Sequence, residues 1–144
     1  MKLTPHLPFK GNCRQAFQFY ADTLGGKILM QTTYGETPMA AQMPAHMREQ
    51  IIHARMEFHG QSLMGADAPP DRYDGGHGIQ LALGIDDLAQ AKRTFEALSA
   101  GGTVTMPFQE TFWARGFGML TDRFGIAWMV NCEKPMGGAA AQSR

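Results

Sequence analysis

An internal repeat of about half the chain is the feature that most restricts how this sequence of 144 residues can fold. A shift of 76 residues superimposes Gly25-Gly26 on Gly101-Gly102 and Phe19 on Phe95. Self-similarity at a fixed period indicates one structural unit used twice. The sequence therefore predicts a duplicated unit, each copy with its own helix and strands.

The first copy begins with a short strand, because Leu3, Leu7 and Phe9 recur at even spacing. Asn12 follows as the predicted N-cap of a helix. That helix has an apolar stripe and stops at Gly25-Gly26. The members of the stripe are Cys13, Phe17, Tyr20 and Leu24. The copy continues with a strand from 27 to 34 and a long irregular segment from 35 to 50, which would be a lid or an edge crossing. It ends with a hairpin-like pair of strands at 51–58 and 61–66.

The second copy restarts with a clean alternation of apolar and other residues from Ile79 to Ile85, which is typical of a half-buried strand. Asp86 or Asp87 is expected to cap a helix that ends at Gly101-Gly102. Further strands are predicted at 103–106, 116–121 and 126–131, with Asp122-Arg-Phe-Gly125 as a type I turn. We expect an α+β domain over 1–132, with modules at about 1–67 and 77–132, a turn-rich linker at 68–76 and a flexible tail at 133–144.

Composition narrows the classes of partner. Lys and Arg together number 13, as do Asp and Glu, and no basic run is long enough to neutralise several phosphates, so no nucleic-acid partner is expected. No run of about 20 apolar residues occurs and the N-terminal residues lack a signal-peptide pattern, which predicts a soluble cytoplasmic protein without a membrane partner. The 11 methionines are typical of adaptable cores and apolar pockets.

Three blocks of sequence carry a family resemblance: GNCRQAFQFY, IIHARMEF followed by SLMGAD, and QETFWARGFGMLTDRFGIAWMVN. Together they resemble the PhnB-like group of the glyoxalase/bleomycin-resistance/dioxygenase superfamily, also called vicinal oxygen chelate proteins. The resemblance implies two βαβββ modules whose curved mixed sheets surround a cavity, usually in a homodimer. It also implies a divalent ion held by His and Glu in the enzymes of the superfamily, where the ion acts as a Lewis acid.

The residues at the implied ligand positions do not suit such an ion. The first position falls at Pro5 or His6, the second near Met64, the third at Gln80 and the last at Met129. Pro and Met are not ligands for a hard or borderline divalent ion, and Gln is a weak one. We therefore expect no cofactor and no metal at the usual site. The less favoured alternative is a metal at an unorthodox site, in which Glu36 or Glu57 would be joined by histidines from among His6, His46, His59 and His77.

The segment from 109 to 131 supplies most of the predicted ligand pocket. Aromatic side chains there would form a wall on which a planar or apolar ligand stacks, or would close the core or the dimer seam. Alternation along the last strand places Trp128 and Val130 on one face and Met129 and Asn131 on the other. The predicted pocket residues are Gln80, Gln109, Glu110, Thr111, Trp113, Phe117, Met129 and Asn131.

Two residues are candidates for catalysis. His53 lies on an apolar strand and would be a proton-transfer base or a hydrogen-bonded core residue. Asp67 ends the SLMGAD strand and would be a general base at the cavity mouth or a turn and capping carboxylate.

The sequence favours a small-molecule-binding protein without the usual metal. The alternative is an enzyme of the isomerase, lyase or dioxygenase type, with an unorthodox metal site or one based on His53. Some relatives carry a methyltransferase label for a quinone precursor, and we discount it because no strand, Gly-rich loop and helix pattern for a nucleotide is present. The chain also shows no basic cluster suited to a phosphonate.

Overall fold

The protein was analysed as a computed structural model that describes residues 1–135, and these divide into two compact units. The first unit comprises Met1–Ile79 with Phe124–Ile126, and the second comprises Gln80–Arg123 and the chain from Ala127 onward. The predicted duplication is confirmed, since each unit is built on one α-helix and one 4-stranded mixed sheet. Of the expected tail, Glu133 belongs to the last strand, and residues from 136 on lie outside the described part of the chain.

The two sheets have the same topology. The first module consists of β1 His6–Phe9, α1 Cys13–Leu24, β2 Lys27–Thr33, β3 Ile51–Phe58 and β4 Gln61–Asp67. The second module consists of β5 Leu81–Gly84, α2 Leu88–Ser99, β6 Thr103–Gln109, β7 Ala114–Thr121 and β8 Ala127–Glu133. In the first sheet the order is β1-β4-β3-β2, and in the second it is β5-β8-β7-β6. Strand β1 pairs with β4, and β5 with β8, in parallel, and the remaining neighbours are antiparallel.

Helix α1 covers one face of the first sheet with aromatic side chains. Phe9, Phe17 and Tyr20 are all fully buried, and the rings of Phe9 and Phe17 meet edge to face with centroids 6.1 Å apart. The helix can approach this closely because β4 carries Gly65, where a Cβ atom would lie 2.7 Å from Cε1 of Phe17. The apolar stripe predicted for the helix is therefore its buried face.

Helix α2 packs on β7 and β8 of the second sheet in the same manner. Its buried Phe95 and Leu98 accompany Leu120, Trp128 and Val130 in the core. The predicted division of β8 is confirmed, because Trp128 and Val130 are buried on the α2 side while Met129 and Asn131 alternate with them.

The helix N-termini differ in how their backbone amides are satisfied. Asp87 caps α2 as expected, since its carboxylate accepts a hydrogen bond from the amide of Gln90 at 2.8 Å. Asn12 holds the equivalent position before α1, but its side chain makes no capping hydrogen bond. Asn12 is the N-cap residue of α1 as predicted, but the side-chain acceptor expected of it is supplied by Asp67 of β4, which accepts a hydrogen bond from the Cys13 amide.

Several predicted boundaries shift. Leu3 and Ile79 lie outside the strands and are largely exposed. The strands predicted at 103–106 and 116–121 are longer than expected, since β6 continues to Gln109 and β7 begins at Ala114. Strand β6 is an edge strand, where a proline such as Pro107 can lie without removing a ladder hydrogen bond. The turn is thus only residues 110–113.

The segment between β2 and β3 contains short 3-10 turns rather than a strand. Its ends are joined by backbone hydrogen bonds from Tyr34 to Gln50 at 3.0 Å and from Gly35 to Arg48 at 2.8 Å. A long surface loop with its ends held together in this way resembles an Ω-loop. Among the described residues, neither helix has the length and apolarity needed to cross a bilayer.

Candidate functional site

The face of the second sheet turned away from α2, here called the distal face, gathers several of the predicted pocket residues. In the β7–β8 ladder Phe117 pairs with Asn131 and Met119 pairs with Met129. These residues alternate with buried ones, so they lie on the side of the sheet opposite the helix. Gln109 of β6 pairs with Phe117 on the other side and extends the same row.

An aromatic cluster continues this face into the turn before β7. The ring of Trp113 meets Phe117 edge to face with centroids 5.2 Å apart, and Phe112 meets Trp113 in the same way at 4.8 Å. Phe112 is 88% exposed and Trp113 is 41% exposed. Exposed aromatic rings in contact with one another form the kind of apolar patch that marks a binding surface.

Asn131 places an unsatisfied polar atom beside these rings. Its Oδ1 is buried and has no hydrogen-bond partner in the part of the chain that the structure describes. Its Nδ2 has only a long hydrogen bond of 3.5 Å to Oε1 of Glu133. Most buried polar atoms in proteins are paired, so an unpaired amide on this face is suited to a ligand that carries a hydrogen-bonding group.

Glu110 and Thr111 hold the turn between β6 and β7. Glu110 forms a salt bridge of 3.0 Å with Lys134. Thr111 accepts a hydrogen bond at Oγ1 from the amide of Ala114 and donates its own amide to the Ala114 carbonyl, both at 3.0 Å. These contacts fix the backbone on which Trp113 is mounted.

Gln80 lies at the edge of the predicted group. It directly precedes β5, and Ala82, two residues later, pairs with Met129 of the distal face. Its side chain is exposed. A contact between Gln80 and a ligand stays a prediction.

His53 lies on the first sheet, on the face turned away from α1. Its neighbours Ala54 and Met56 are buried, and His53 itself pairs with Thr32 of β2. The imidazole of His53 stacks near that of His6, with ring centroids 6.4 Å apart. Burial first, and His53 second, lower the pKa of His6 below its usual value of 6.5. The surroundings of His6 therefore favour its neutral imidazole.

Asp67 is buried and fully engaged with the backbone. Its Oδ1 accepts hydrogen bonds from the amides of Gly11 at 2.8 Å and Cys13 at 2.9 Å, and its Oδ2 accepts one from Ile51 at 2.9 Å. A role as general base would require at least one of these bonds to break, and that role stays a prediction. Burial, followed by the nearby Asp67 carboxylate, raises the pKa of the Cys13 thiol to about 12.

The positions implied for a metal carry a poor set of donors. His6 pairs with Met64 across β1 and β4, so only one of these two is a nitrogen ligand. In the second unit the corresponding positions hold the Gln80 amide and the Met129 thioether. This set does not fit a hard divalent ion. Within residues 1–135 no group of three or more His, Cys, Asp or Glu side chains is arranged to hold one.

A polar cleft in the first unit was not anticipated from the sequence. It has a volume of about 560 Å³ and lies where the N-terminus of α1 meets the segment before β3. Arg14 from the helix and Arg48 from that segment both line it. Sequence inspection missed the pair because the two arginines are far apart along the chain.

Comparisons with known proteins agree with the fold and the repeat. Residues 1–131 match a protein family described as 3-demethylubiquinone-9 3-methyltransferase. The chain is 39% identical over 142 residues to Protein YjdN of Escherichia coli (strain K12), an alignment that covers 93% of this chain and 97% of that protein.

Solved structures show the same architecture. The crystal structure of protein PA1353 from Pseudomonas aeruginosa superimposes with a TM-score of 0.85 at 44% identity, covering 94% of this chain and 99% of that one. The putative 3-demethylubiquinone-9 3-methyltransferase, PhnB protein, from Bacillus cereus gives 0.78 at 22% identity, covering 92% and 99%. A glyoxylase/bleomycin resistance protein/dioxygenase domain from Frankia sp. EAN1pec gives 0.65 at 18% identity, covering 93% and 98%.

Proposed function

The chain belongs to the family described as 3-demethylubiquinone-9 3-methyltransferase, a PhnB-like group with the glyoxalase/bleomycin-resistance fold, and we propose that it is a small-molecule-binding protein. The ligand would lie on the distal face of the second sheet. The observation that carries this proposal is the buried Oδ1 of Asn131, which has no partner within residues 1–135 and lies on the strand beside Phe117, whose ring touches the half-exposed Trp113.

The arrangement suits a planar ligand with at least one polar group. Trp113 and Phe117 offer aromatic surface for stacking, which contributes roughly 0.5–1.5 kcal/mol beyond area burial for a ring pair. Asn131 and Gln109 offer amides that would orient the ligand by hydrogen bonds. Mostly apolar walls with a few polar groups are typical of small-molecule sites. The proposal uses no metal at the positions that hold His6, Met64, Gln80 and Met129.

A ligand screen tests the proposal directly. The protein is screened by thermal shift against planar aromatic compounds with hydroxyl or amide groups, and S-adenosylmethionine is included because the family description names a methyltransferase. A compound bound to the folded state raises the apparent melting temperature as its concentration exceeds its Kd. Binding is also expected to change tryptophan fluorescence through Trp113, since Trp128 is only 1% exposed.

Variants locate the site. We expect Trp113→Ala to weaken binding by about threefold to tenfold, and Asn131→Ala to weaken it by about tenfold where the ligand donates to the amide. The matched control is Val104→Ala, an exposed apolar residue of β6 that pairs with the buried Leu120 rather than with the distal face. Equal affinity of Trp113→Ala, Val104→Ala and the unaltered protein would refute the placement.

The second candidate function is an enzyme of the same superfamily, of the isomerase, lyase or dioxygenase type, with its chemistry at His53. The observation that favours it is the stacking of the His53 ring near that of His6, because the lowered pKa of His6 leaves its imidazole neutral and able to accept a proton near pH 7. Conversion of a bound compound that is lost in His53→Gln but kept in His59→Gln would favour the enzyme, since His59 lies in the exposed β3–β4 turn.

A homodimer is part of the proposal. The edge strands β2 and β6 present large apolar side chains to solvent, namely Leu29, Met30, Val104 and Met106. Exposed apolar edges of this kind are usually covered in folded proteins. Light scattering coupled to size-exclusion chromatography should give a mass twice that of the chain, and a monomer at micromolar concentration would contradict it.

A further inference from the structure

We propose that the cleft at the N-terminus of α1 binds a small molecule through an oxyanion group, either a phosphate or a carboxylate. The cleft belongs entirely to the first unit and has a volume of about 560 Å³, within the usual range for small-molecule pockets. None of its lining residues belongs to the distal face of the second sheet. It does not depend on the ligand proposed there.

Two guanidinium groups line the cleft from different elements. Arg14 lies in the first turn of α1, and Arg48 lies just before β3. Neither forms a salt bridge within residues 1–135. The Nη1 of Arg14 donates to Gln31 at 3.3 Å and the Nε of Arg48 donates to the Ala40 carbonyl at 3.1 Å, so each guanidinium keeps other N–H groups. Arginine N–H groups match the planar and tetrahedral oxygens of carboxylate and phosphate.

The helix adds to the positive potential. The amide of Cys13 is already bonded to Asp67, whereas the amides of Arg14 and Gln15 come next in the first turn, where no intrahelical acceptor exists. Both of these residues line the cleft. The N-terminus of a helix favours an anion through its macrodipole and its free amides. Guanidinium groups and helix end therefore favour the same sign of charge.

Two carboxylates also line the cleft and must be weighed. Asp67 is buried with three backbone N–H groups on its oxygens, which disperse its charge. Glu49 is exposed and has no salt bridge among the described residues, so it opposes an anion from the rim. His46, also in the lining, adds positive charge when protonated. Removing the Glu49 charge should accordingly strengthen anion binding.

The segment that carries Arg48 is held in place before any ligand arrives. Its ends are joined by the Tyr34–Gln50 backbone hydrogen bond, and the Tyr34 hydroxyl donates to the Asp67 carbonyl at 2.8 Å. The Ile51 amide is bonded to the Asp67 side chain. A preorganised segment reduces the entropy lost on binding.

The test is a titration of ¹⁵N-labelled protein followed by NMR, first with inorganic phosphate and then with a phosphate monoester and a short monocarboxylate. We expect saturable shifts of the amides of Arg14, Gln15 and Ile51, with no shift along β7 or β8. Tighter binding of the monoester identifies a phosphate site, and tighter binding of the monocarboxylate identifies a carboxylate site. Absence of saturable shifts with all three overturns the proposal.

Charge variants provide the second measurement. Arg14→Gln and Arg48→Gln should each weaken anion binding by about tenfold, as expected for loss of a charge-assisted hydrogen bond. Glu49→Gln should tighten it by about twofold to fivefold. The matched control is Arg93→Gln, which removes the same charge from an exposed position of α2.

These outcomes distinguish binding from loss of structure. Arg48→Gln loses the hydrogen bond to the Ala40 carbonyl and could disturb the segment between β2 and β3. Arg14 makes no hydrogen bond to that segment, so Arg14→Gln tests anion binding without this effect. An Arg14→Gln protein that binds as tightly as Arg93→Gln overturns the proposal. Trp113→Ala should keep full anion binding, which separates this site from the aromatic one.

Discussion

Replacement of Asp67 by Asn should destabilise the protein strongly although it changes only one non-hydrogen atom. The two carboxylate oxygens together accept three backbone N–H groups, from Gly11, Cys13 and Ile51. An asparagine can offer one acceptor oxygen and must place its NH₂ group against at least one of these donors. The best arrangement keeps the bonds to Gly11 and Cys13 and leaves the Ile51 amide facing another donor.

The magnitude follows from the count of bonds. Loss of one hydrogen bond between a buried donor and a charged acceptor takes roughly 1.5–3 kcal/mol from the free energy of unfolding. The other two bonds change from charge-assisted to neutral, which removes about 1 kcal/mol each. Relief of the buried carboxylate offsets part of this sum. We therefore expect a net loss of about 3 kcal/mol, or roughly 6–12 °C in melting temperature for a chain of this size.

Urea unfolding followed by circular dichroism measures the effect, with Asp71→Asn as the matched control. Asp71 is exposed in the linker, so the same chemical change there should alter the free energy of unfolding by no more than about 0.5 kcal/mol. An Asp67→Asn protein within about 1 kcal/mol of the unaltered protein would refute the structural role assigned to this carboxylate. In that case the general-base interpretation of Asp67 would gain weight.

Two further predictions concern packing and pH. Gly65→Ala should lower the free energy of unfolding in urea by about 1–3 kcal/mol, because its Cβ would lie 2.7 Å from Cε1 of Phe17. The control is Gly84→Ala, which should be close to neutral because no atom lies within 4 Å of a Cβ there. Similar values for both variants would contradict the close-packing argument. The pKa of His6 is lowered in the folded state from its ordinary value of 6.5, so the unfolded chain binds more protons as pH drops through 6.5 and stability should fall over that range. His6→Gln should flatten that part of the stability–pH curve and His59→Gln should not.

The fold could be predicted from the sequence because its signals are local. The apolar stripe of α1 lies within one helix, and all four of its members are buried in the structure, namely Cys13, Phe17, Tyr20 and Leu24. The prediction that the helix ends at Gly25-Gly26 is confirmed, since α1 ends at Leu24 and Gly25 lies in the left-handed region at φ 68°. Such patterns depend on neighbours a few residues apart, so tertiary contacts rarely override them.

The limits of prediction appear where a contact spans many residues. Asp67 lies more than 50 residues along the chain from Gly11 and Cys13, whose amides donate to its carboxylate. Nothing in the sequence near Asn12 therefore shows that Asp67 supplies this acceptor. Arg14 and Arg48 come together only because the segment before β3 returns to the start of α1. The absence of a basic run in the sequence therefore says little about a basic cleft.

The distal face of the second sheet is an intermediate case. Strand alternation correctly separates Trp128 from Met129 and Asn131, because the period of two is a property of the strand itself. The extension of β6 as far as Gln109 could not be predicted in the same way. It depends on the pairing of Gln109 with Phe117 across two register shifts in an edge strand that contains Pro107.

The two modules also show how duplicated units acquire different chemistry at one position. The last buried residue of β4 is Asp67, and the last buried residue of β8 is Cys132. Asp67 accepts hydrogen bonds from the turn before α1, whereas the Sγ of Cys132 donates to the Asp86 carbonyl in the turn before α2, at 3.4 Å. A thiol offers little to backbone amides, so α2 needs the side chain of Asp87 as its cap.

In the first module the acceptor for the helix amide comes from β4 and not from the residue before the helix. Asp67 accepts a hydrogen bond from the Cys13 amide, whereas the Asn12 side chain makes no capping hydrogen bond and its Oδ1 is buried without a hydrogen-bond partner among the described residues. Asp67 also bonds the Ile51 amide through its carboxylate and the Tyr34 hydroxyl through its backbone carbonyl, so it holds both ends of the segment that carries Arg48. The second module has only a short turn at the corresponding place, between β6 and β7. One acidic residue on β4 thus stabilises the helix start and at the same time positions the cleft that we propose for anions.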